Sequence, residues 1–288
     1  MRAADVIAAA GGVVRMNDHR SLRTSFWRHL KAGRLIQALP GIAMDAGLSN
    51  DPLAWIRAVS LWNPNAVVAG RAAAAITFFP ETPLTTVSVY VKDRIKDCGP
   101  IRFIAGELDP ELLRWEGGVR VTGPAATALT AGLEGHFDAG TAALRERITT
   151  PAAISRAAEG WSYRRRPAAR AVALDLSGNP WSPAEVDCHR LLRRAGIKCW
   201  VGNAPVWLSG TRFVPDVSIR AAKIAFEVNS FEFHGSREAM EVDSSRVNQF
   251  LSHGWRTYTL LPSQIRDFEE QTIAFMRSVV WKRHRAAA

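Results

Sequence analysis

Two carboxylates, Asp216 and Glu227, lie on two predicted strands in the C-terminal half of the chain. The strands, 212–219 and 224–229, are rich in β-branched and aromatic residues, and the short turn 220–223 between them favours a hairpin. Because alternate side chains of a strand share a face, Glu227 and Asn229 point the same way, and pairing of the strands brings Asp216 to them. Divalent ions such as Mg²⁺ take one or two carboxylates and keep several waters. The pattern therefore predicts a Mg²⁺ or Mn²⁺ site suited to phosphodiester hydrolysis.

A third carboxylate, Glu185, ends the sequence SPAE at 182–185, which has the form of a capping box. We expect Ser182 to cap a helix, Pro183 to lie in its first turn, and Glu185 to reach back to the N–H of the cap residue. Gly196 is expected to end this helix. Capping alone would explain Glu185, so the pattern leaves open whether Glu185 also faces a site.

These residues also carry a family resemblance. Pro-Asp at 215–216 with Glu227 on the next strand resembles the core of PD-(D/E)XK nucleases, a short motif whose specificity depends on its surroundings. Taken in order, SPAE, VPDVSI, FEVNSFEFH, DSSR and FLSHGWRTY resemble the domain related to very-short-patch-repair endonucleases, over residues 175–286. The resemblance implies a restriction-endonuclease-like α/β fold.

The same resemblance assigns metal binding to Asp216 and Glu227. It makes His234 the general acid or base. It places Asp243 and Arg246, three residues apart on one helix face, near the phosphate, and it has Glu185 face the site from the first helix. Plain alternatives remain for two of these assignments. His234 is also explained as a structural histidine at a strand end, and Asp243 with Arg246 as a surface ion pair.

The chain departs from that family just after Glu227. The family commonly has an acidic residue and Gly where this chain has Asn229 and Ser230, and a PD-(D/E)XK nuclease would have Lys at the first of these positions. Asn accepts hydrogen bonds but brings no negative charge. The sequence therefore leaves two interpretations open, an active metal-dependent endonuclease and a C-terminal domain that serves only as a scaffold or DNA clamp.

Positive charge is concentrated at the N-terminus and before the C-terminal domain. Residues 1–34 carry seven Lys and Arg against two Asp and Glu, and the chain as a whole has a formal charge of +10. A helix over 22–32 places Leu22, Phe26 and Leu30 on one face by their four-residue spacing. The side chains on and beside this helix that remain available to contact DNA are polar or basic: Arg20, Arg23, Ser25, Arg28, Lys31 and Arg34. Local clusters of this kind favour binding to a polyanion such as double-stranded DNA.

Three predicted helices followed by a hairpin, Arg34–Gln37 with Gly41–Met44, indicate a winged helix-turn-helix at residues 1–48. The runs HLKAGRLIQALPGIAM, AVVAGRAAAAI (expected to be helical) and VRVTGPAATALTAGL resemble the N-terminal region of AbiEi-type antitoxins over residues 1–150. The resemblance implies an accessory α/β domain at 49–150, with a helix over 52–61 and strands over 86–91 and 101–105. It also implies an autorepressor that opposes a nucleotidyltransferase toxin, in a toxin–antitoxin or phage-defence system.

A helix and a basic linker are expected at 148–180, where Arg164, Arg165 and Arg166 would track a phosphate backbone or form a solvated connector. The three cysteines are widely spaced without a C-x-x-C pair, which favours a reducing compartment, the cytoplasm. No apolar run reaches the length of a membrane span, so we expect no membrane partner. The predicted fold class is α+β followed by α/β.

Overall fold

The computed structural model describes residues 2–161, 165–228 and 237–287, without the side chains of 237–243 and 284–287. The chain divides into two compact units. The first unit comprises Met1–Ala143 and Arg156–Arg170, and the second comprises Leu144–Ser155 and Ala171–Ala288. Both contain helices and β-sheet, so the predicted mixture of α and β structure is present.

The N-terminal part of the first unit packs helices on a three-stranded antiparallel sheet of order β1-β3-β2. Its elements are α1 (Ala3–Ala9), β1 (Val13–Arg15), a 3₁₀ helix (Met16–Leu22), α2 (Arg23–Lys31), β2 (Leu35–Leu39) and β3 (Ile42–Asp45). The predicted helices and the hairpin are present. Strand β1 was not predicted, because three residues are too few to show a strand periodicity.

Phe26 of α2 is fully buried, with Leu22 and Leu30 packed beside it against α1 and the sheet. The predicted apolar face of this helix is therefore confirmed. Helix α2 begins at Arg23 with no side-chain cap, directly after the 3₁₀ helix.

The rest of the first unit is built around a five-stranded mixed sheet of order β6-β5-β4-β8-β7. Its elements are α3 (Pro52–Trp62), β4 (Val67–Ala69), α4 (Gly70–Ala75), β5 (Val87–Val91), β6 (Ile101–Ala105), β7 (Leu113–Glu116), β8 (Val119–Thr122), α5 (Pro124–Leu133) and α6 (Asp138–Arg145). The expected helix over AVVAGRAAAAI is instead a strand and a short helix. The β-branched pair Val67-Val68 pairs with β5, and Gly70 turns the chain with φ +60°.

One hydrophobic core joins the two parts of the first unit. Val13 and Met44 of the N-terminal sheet belong to the same buried cluster as Trp55 of α3 and Val68 of β4. Residues 1–48 also contain a second buried cluster of their own, around Phe26 and Leu35, so the boundary expected near residue 48 stays a prediction.

The expected basic linker is partly helical. Helices α7 (Pro151–Glu159) and α8 (Arg166–Leu176) cover most of it. Arg165 Nη1 donates to Tyr90 Oη at 3.4 Å, with its guanidinium 5.9 Å from the ring centroid, and Arg166 Nε donates to Trp161 O at 3.2 Å. Two of the three arginines are thus held by contacts within the first unit, and Arg164 lies outside the described residues.

In the second unit a four-stranded sheet of order β14-β13-β12-β9 is covered on both faces, and β10 and β11 form a separate ribbon. The elements are α9 (Pro183–Arg194), β9 (Val201–Gly202), β10 (Val206–Leu208), β11 (Thr211–Phe213), β12 (Val217–Ile219), β13 (Ile224–Val228), α10 (Arg237–Ser252), β14 (Arg256–Leu260), α11 (Pro262–Asp267) and α12 (Glu269–Ala287). β13 is antiparallel to β12 and parallel to β14.

The two faces of this sheet bury different elements. Leu191 of α9 and Met276 of α12 pack with Phe226 on one face. Phe250 of α10 packs with Ala225 and the ribbon on the other. The strand expected over 212–219 is interrupted at 214–216, where Pro215 has no N–H to donate to a ladder.

Among the helices of the described residues, none has the length and apolar character needed to cross a membrane.

Candidate functional site

The hairpin β12–β13 brings Asp216 next to the strand that carries Glu227. Val217 pairs with Phe226 and Ile219 with Ile224, and Lys223 closes the turn in the left-handed conformation with φ +48°. Continued by one residue, this register places Asp216 opposite Glu227. The predicted hairpin is present, and it brings together the two residues chosen from the sequence.

Asp216 lies where the chain enters β12. Its Oδ2 atom accepts a hydrogen bond of 2.7 Å from the N–H of Val228, at the end of the neighbouring strand. Burial raises the pKa of Asp216 above its ordinary value, while the Val228 N–H and the charge of Arg246 act in the opposite direction. Ionising this carboxyl group therefore has a cost that a further positive charge nearby would reduce.

Glu227 lies on the face of β13 that α10 covers. Arg246 of α10 donates from Nη2 to Glu227 Oε1 at 2.7 Å and to the carbonyl of Val214 at 3.0 Å. The side chain of Glu227 is only 15% exposed. Its charge is therefore matched by a guanidinium, and a metal ion at Glu227 would compete with Arg246.

Glu185 projects from the first turn of α9 and is buried. Ser182 caps the helix as predicted, since its Oγ accepts from the N–H of Glu185 at 3.2 Å. The predicted return bond to the cap residue is absent from the described contacts. Instead, Glu185 Oε2 accepts from the N–H of Trp181 at 2.8 Å and from Nδ2 of Asn203 at 2.5 Å.

The environment of Glu185 favours its protonated form. Burial is the largest cause that raises the pKa of Glu185, and the charge of Asp216 is the second. Hydrogen bonds with Trp181, Asn203 and Ser182 lower the pKa, and the result is a value of about 7. The charge of Asp216 therefore acts on Glu185, and a residue that only capped the helix would not need to lie this close to a second carboxylate.

Asn203 was not identified from the sequence. It follows β9 in the left-handed conformation, and besides Glu185 it contacts the carbonyls of Asn179 and Asp216. The available signal was weak, namely an Asn after a Gly at a strand end, where Asn tolerates positive φ.

Behind the carboxylates, α9 buries two further groups that sequence analysis passed over. His189 is fully buried beside the main chain of Asp216, whose backbone hydrogen bond acts on the ring although neither ring nitrogen reaches a partner among the described residues at full hydrogen-bond geometry. Burial, and then the charge of Arg193, lower the pKa of His189 to about 3, so the ring is neutral at physiological pH. A Cβ at Gly178 or Gly202 would lie within 3.0 Å of this ring. Burial also raises the pKa of the Cys188 thiol. Both side chains are packed in the interior next to the carboxylates.

Several predicted site residues cannot be placed. Asn229, Ser230 and His234 lie outside the described residues, and Asp243 lies in α10 without a described side chain. Of the predicted site set, the structure therefore brings together Glu185, Asp216, Glu227 and Arg246.

The donor atoms present fit a hard divalent cation held by few protein ligands. Carboxylate and amide oxygens suit Mg²⁺ and Mn²⁺, and the raised pKa values of Glu185 and Asp216 mark a region where a cation would favour ionisation. Within the described part of the chain, no group of three or more His, Cys, Asp or Glu side chains could hold a metal ion by itself. These residues therefore suit a cation that keeps several water ligands, and they do not form a site in which protein atoms supply every ligand.

A second candidate surface lies on α2 in the first unit. Arg20, Arg23, Arg28, Lys31 and Arg34 are exposed, and Ser25 is partly buried. Helix α2 contains no acidic residue. Trp27, 48% exposed, lies among these cations. Arg34 Nε donates to His29 Nδ1 at 3.0 Å, which orients it beside the helix end.

In comparisons with known proteins, no family model matches this chain and no curated protein is significantly similar to it.

Proposed function

We propose that this protein binds double-stranded DNA through a winged helix-turn-helix in its first unit and carries a metal-dependent endonuclease site of the PD-(D/E)XK type in its second. The observation that carries the proposal is the register of β12 and β13, which sets Asp216 opposite Glu227. Glu185 enters from α9, close enough for the Asp216 charge to raise its pKa. Arg246 already pairs with Glu227, so Asp216 and Glu185 are the two acids whose mutual repulsion a bound cation would relieve.

Each described residue has a definite part in the proposed site. Asp216 would be the main ligand of Mg²⁺ or Mn²⁺, with Glu227 as a second ligand when Arg246 turns from it towards a phosphate oxygen. When bound, the metal would polarise the phosphate and activate a water. Without a cation, Glu185 can hold a proton on Oε1 near neutral pH, because Oε2 already accepts two hydrogen bonds; a bound cation would displace that proton.

DNA binding is supported by the exposed cations on and beside α2, which packs on a three-stranded sheet that contains the hairpin β2–β3. Such an arrangement suits a recognition helix with a wing, and its arginines would contact phosphates.

A cleavage assay tests the endonuclease. Wild type, Asp216→Ala and Asp267→Ala would be incubated with plasmid, mismatched duplex and single-stranded DNA, with Mg²⁺ or Mn²⁺. Asp267 is an exposed acid on α11 and controls for the loss of one charge. We expect the cleavage rate to fall at least about a hundredfold in Asp216→Ala. Loss of a residue that only orients a metal ligand lowers activity by about ten- to a hundredfold, and loss of the ligand itself should lower it at least as much. We expect no change in Asp267→Ala. Equal rates in wild type and Asp216→Ala would refute the site.

A second function is favoured by the 2.7 Å ion pair of Glu227 with Arg246, which neutralises one carboxylate without a metal, and by Asn229 in place of a charged residue. On this alternative the protein is a non-catalytic AbiEi-type antitoxin and autorepressor, with a nucleotidyltransferase toxin as its partner. Operator binding and toxin neutralisation that persist in Asp216→Ala, with no cleavage by wild type, would support it.

A further inference from the structure

Three segments of the proposed site meet at Asn203. This residue is 6% exposed and has φ +47°. Its Nδ2 donates to Glu185 Oε2 at 2.5 Å and to the carbonyl of Asn179 at 3.0 Å. Its main-chain N–H donates to the carbonyl of Asp216 at 3.1 Å. One residue therefore contacts the carboxylate of one acid and the main chain of the other.

We infer that Asn203 is a positioning residue, which fixes the Glu185 carboxylate relative to Asp216 so that both can serve one cation. The inference rests on the proposed function for its purpose, but the contacts themselves involve no metal. Hydrogen bonds to a metal's carboxylate ligands orient those ligands and raise affinity.

The residue type follows from two requirements at position 203. The left-handed backbone is accessible to Gly and, among other residues, chiefly to Asn and Asp. The side chain must also donate a hydrogen bond to the buried carboxylate of Glu185. Gly has no side chain to donate, and the carboxylate of Asp would repel that of Glu185. Asn meets both requirements. By holding Oε2, Asn203 and the Trp181 N–H leave Oε1 as the oxygen of Glu185 that can face a cation.

Three variants of the full chain separate positioning from general stability. Asn203→Gly keeps the left-handed backbone and its N–H but removes the amide donor. Asn203→Asp keeps the shape and places a second anion beside Glu185. Asn179→Gly is the matched control, because Asn179 also has positive φ, +58°, and contributes its carbonyl to Asn203.

The first measurement is Mn²⁺ affinity by titration calorimetry. We expect Asn203→Gly to bind Mn²⁺ about tenfold or more weakly than wild type, in the range found for outer-shell partners, and Asn179→Gly to differ by less than about twofold. If Asn203→Gly does not fold, Asn203→Asp replaces it. The added charge should make Mn²⁺ raise its melting temperature more than that of wild type. Equal Mn²⁺ affinity in wild type and Asn203→Gly, or an equal melting response in wild type and Asn203→Asp, would overturn the inference.

A second measurement needs no metal. In EDTA, a double-mutant cycle of Asn203→Gly with Glu185→Ala should be non-additive by about fivefold or more in the unfolding equilibrium constant, as expected for directly interacting residues. Additive effects would overturn the link between the two side chains. A wild type that ignores Mn²⁺ but shows this coupling would instead refute the metal site of the proposed function.

Discussion

Replacing Glu185 by Gln tests how a buried carboxyl group beside Asp216 affects stability. Burial and the Asp216 charge raise the pKa of Glu185 from 4.5 to about 7. Between pH 4.5 and 7 the folded protein therefore keeps a proton that the unfolded chain has lost. The free energy of unfolding must then fall as pH rises through this window, and the loss is complete above about pH 7.

The expected loss is about 3 kcal/mol, since each pH unit of difference corresponds to about 1.4 kcal/mol. Gln keeps an oxygen that accepts from the Trp181 N–H but does not titrate. Relative to Glu185→Gln, wild type should thus lose about 3 kcal/mol between pH 4.5 and 8. His189 acts in the opposite direction, because its pKa of about 3 makes stability rise with pH up to 6.5. It is present in both proteins and cancels in the difference.

The assay is urea unfolding of both proteins in EDTA at several pH values between 4.5 and 8. A difference between the two free energies of unfolding that stays constant within about 0.5 kcal/mol would show that Glu185 is ionised normally. Glu185 would then be only an acceptor for Trp181 and Asn203, and the argument for a shared electrostatic site with Asp216 would fail.

Three further predictions concern the two proposed surfaces. Neutralising Arg28 and Lys31 should weaken DNA binding and lower the slope of log affinity against log salt by about one unit per lost phosphate contact; an unchanged slope in a filter-binding titration would exclude this helix. Asn229→Asp should raise Mn²⁺ affinity and the Mn²⁺-induced rise in melting temperature, because it adds a negative charge; an identical thermal response in wild type would contradict this. Arg246→Met should destabilise the metal-free protein by about 1–3 kcal/mol by removing a charged partner from Glu227, and Mn²⁺ should restore part of that loss. A variant as stable in EDTA as wild type would show that the ion pair is unimportant.

Much of the second unit's hairpin could be predicted because local signals agreed. The β-branched residues of β12 and β13 and the short turn fix a pairing, and the pairing alone sets Asp216 opposite Glu227. The Ser182 cap was equally local. Local patterns failed where tertiary contacts decide the outcome. Glu185, for example, accepts hydrogen bonds from Trp181 and Asn203 and not from the predicted cap residue.

The ion pair of Arg246 with Glu227 could not be predicted, because it joins residues brought together only by the packing of α10 on the sheet. The same holds for Asn203, whose neighbours come from distant segments. In the first unit, the helix expected over AVVAGRAAAAI failed because Gly70 was not recognised as a turn between β4 and α4.

The division of the chain into units has a consequence for how this protein is made. Residues 144–155 belong to the second unit, whereas 156–170 return to the first. During synthesis, the first unit therefore cannot be completed until residue 170 has left the ribosome, after part of the second unit has already emerged. Cutting the gene at any single position between 144 and 170 would leave at least one unit without a segment of its own.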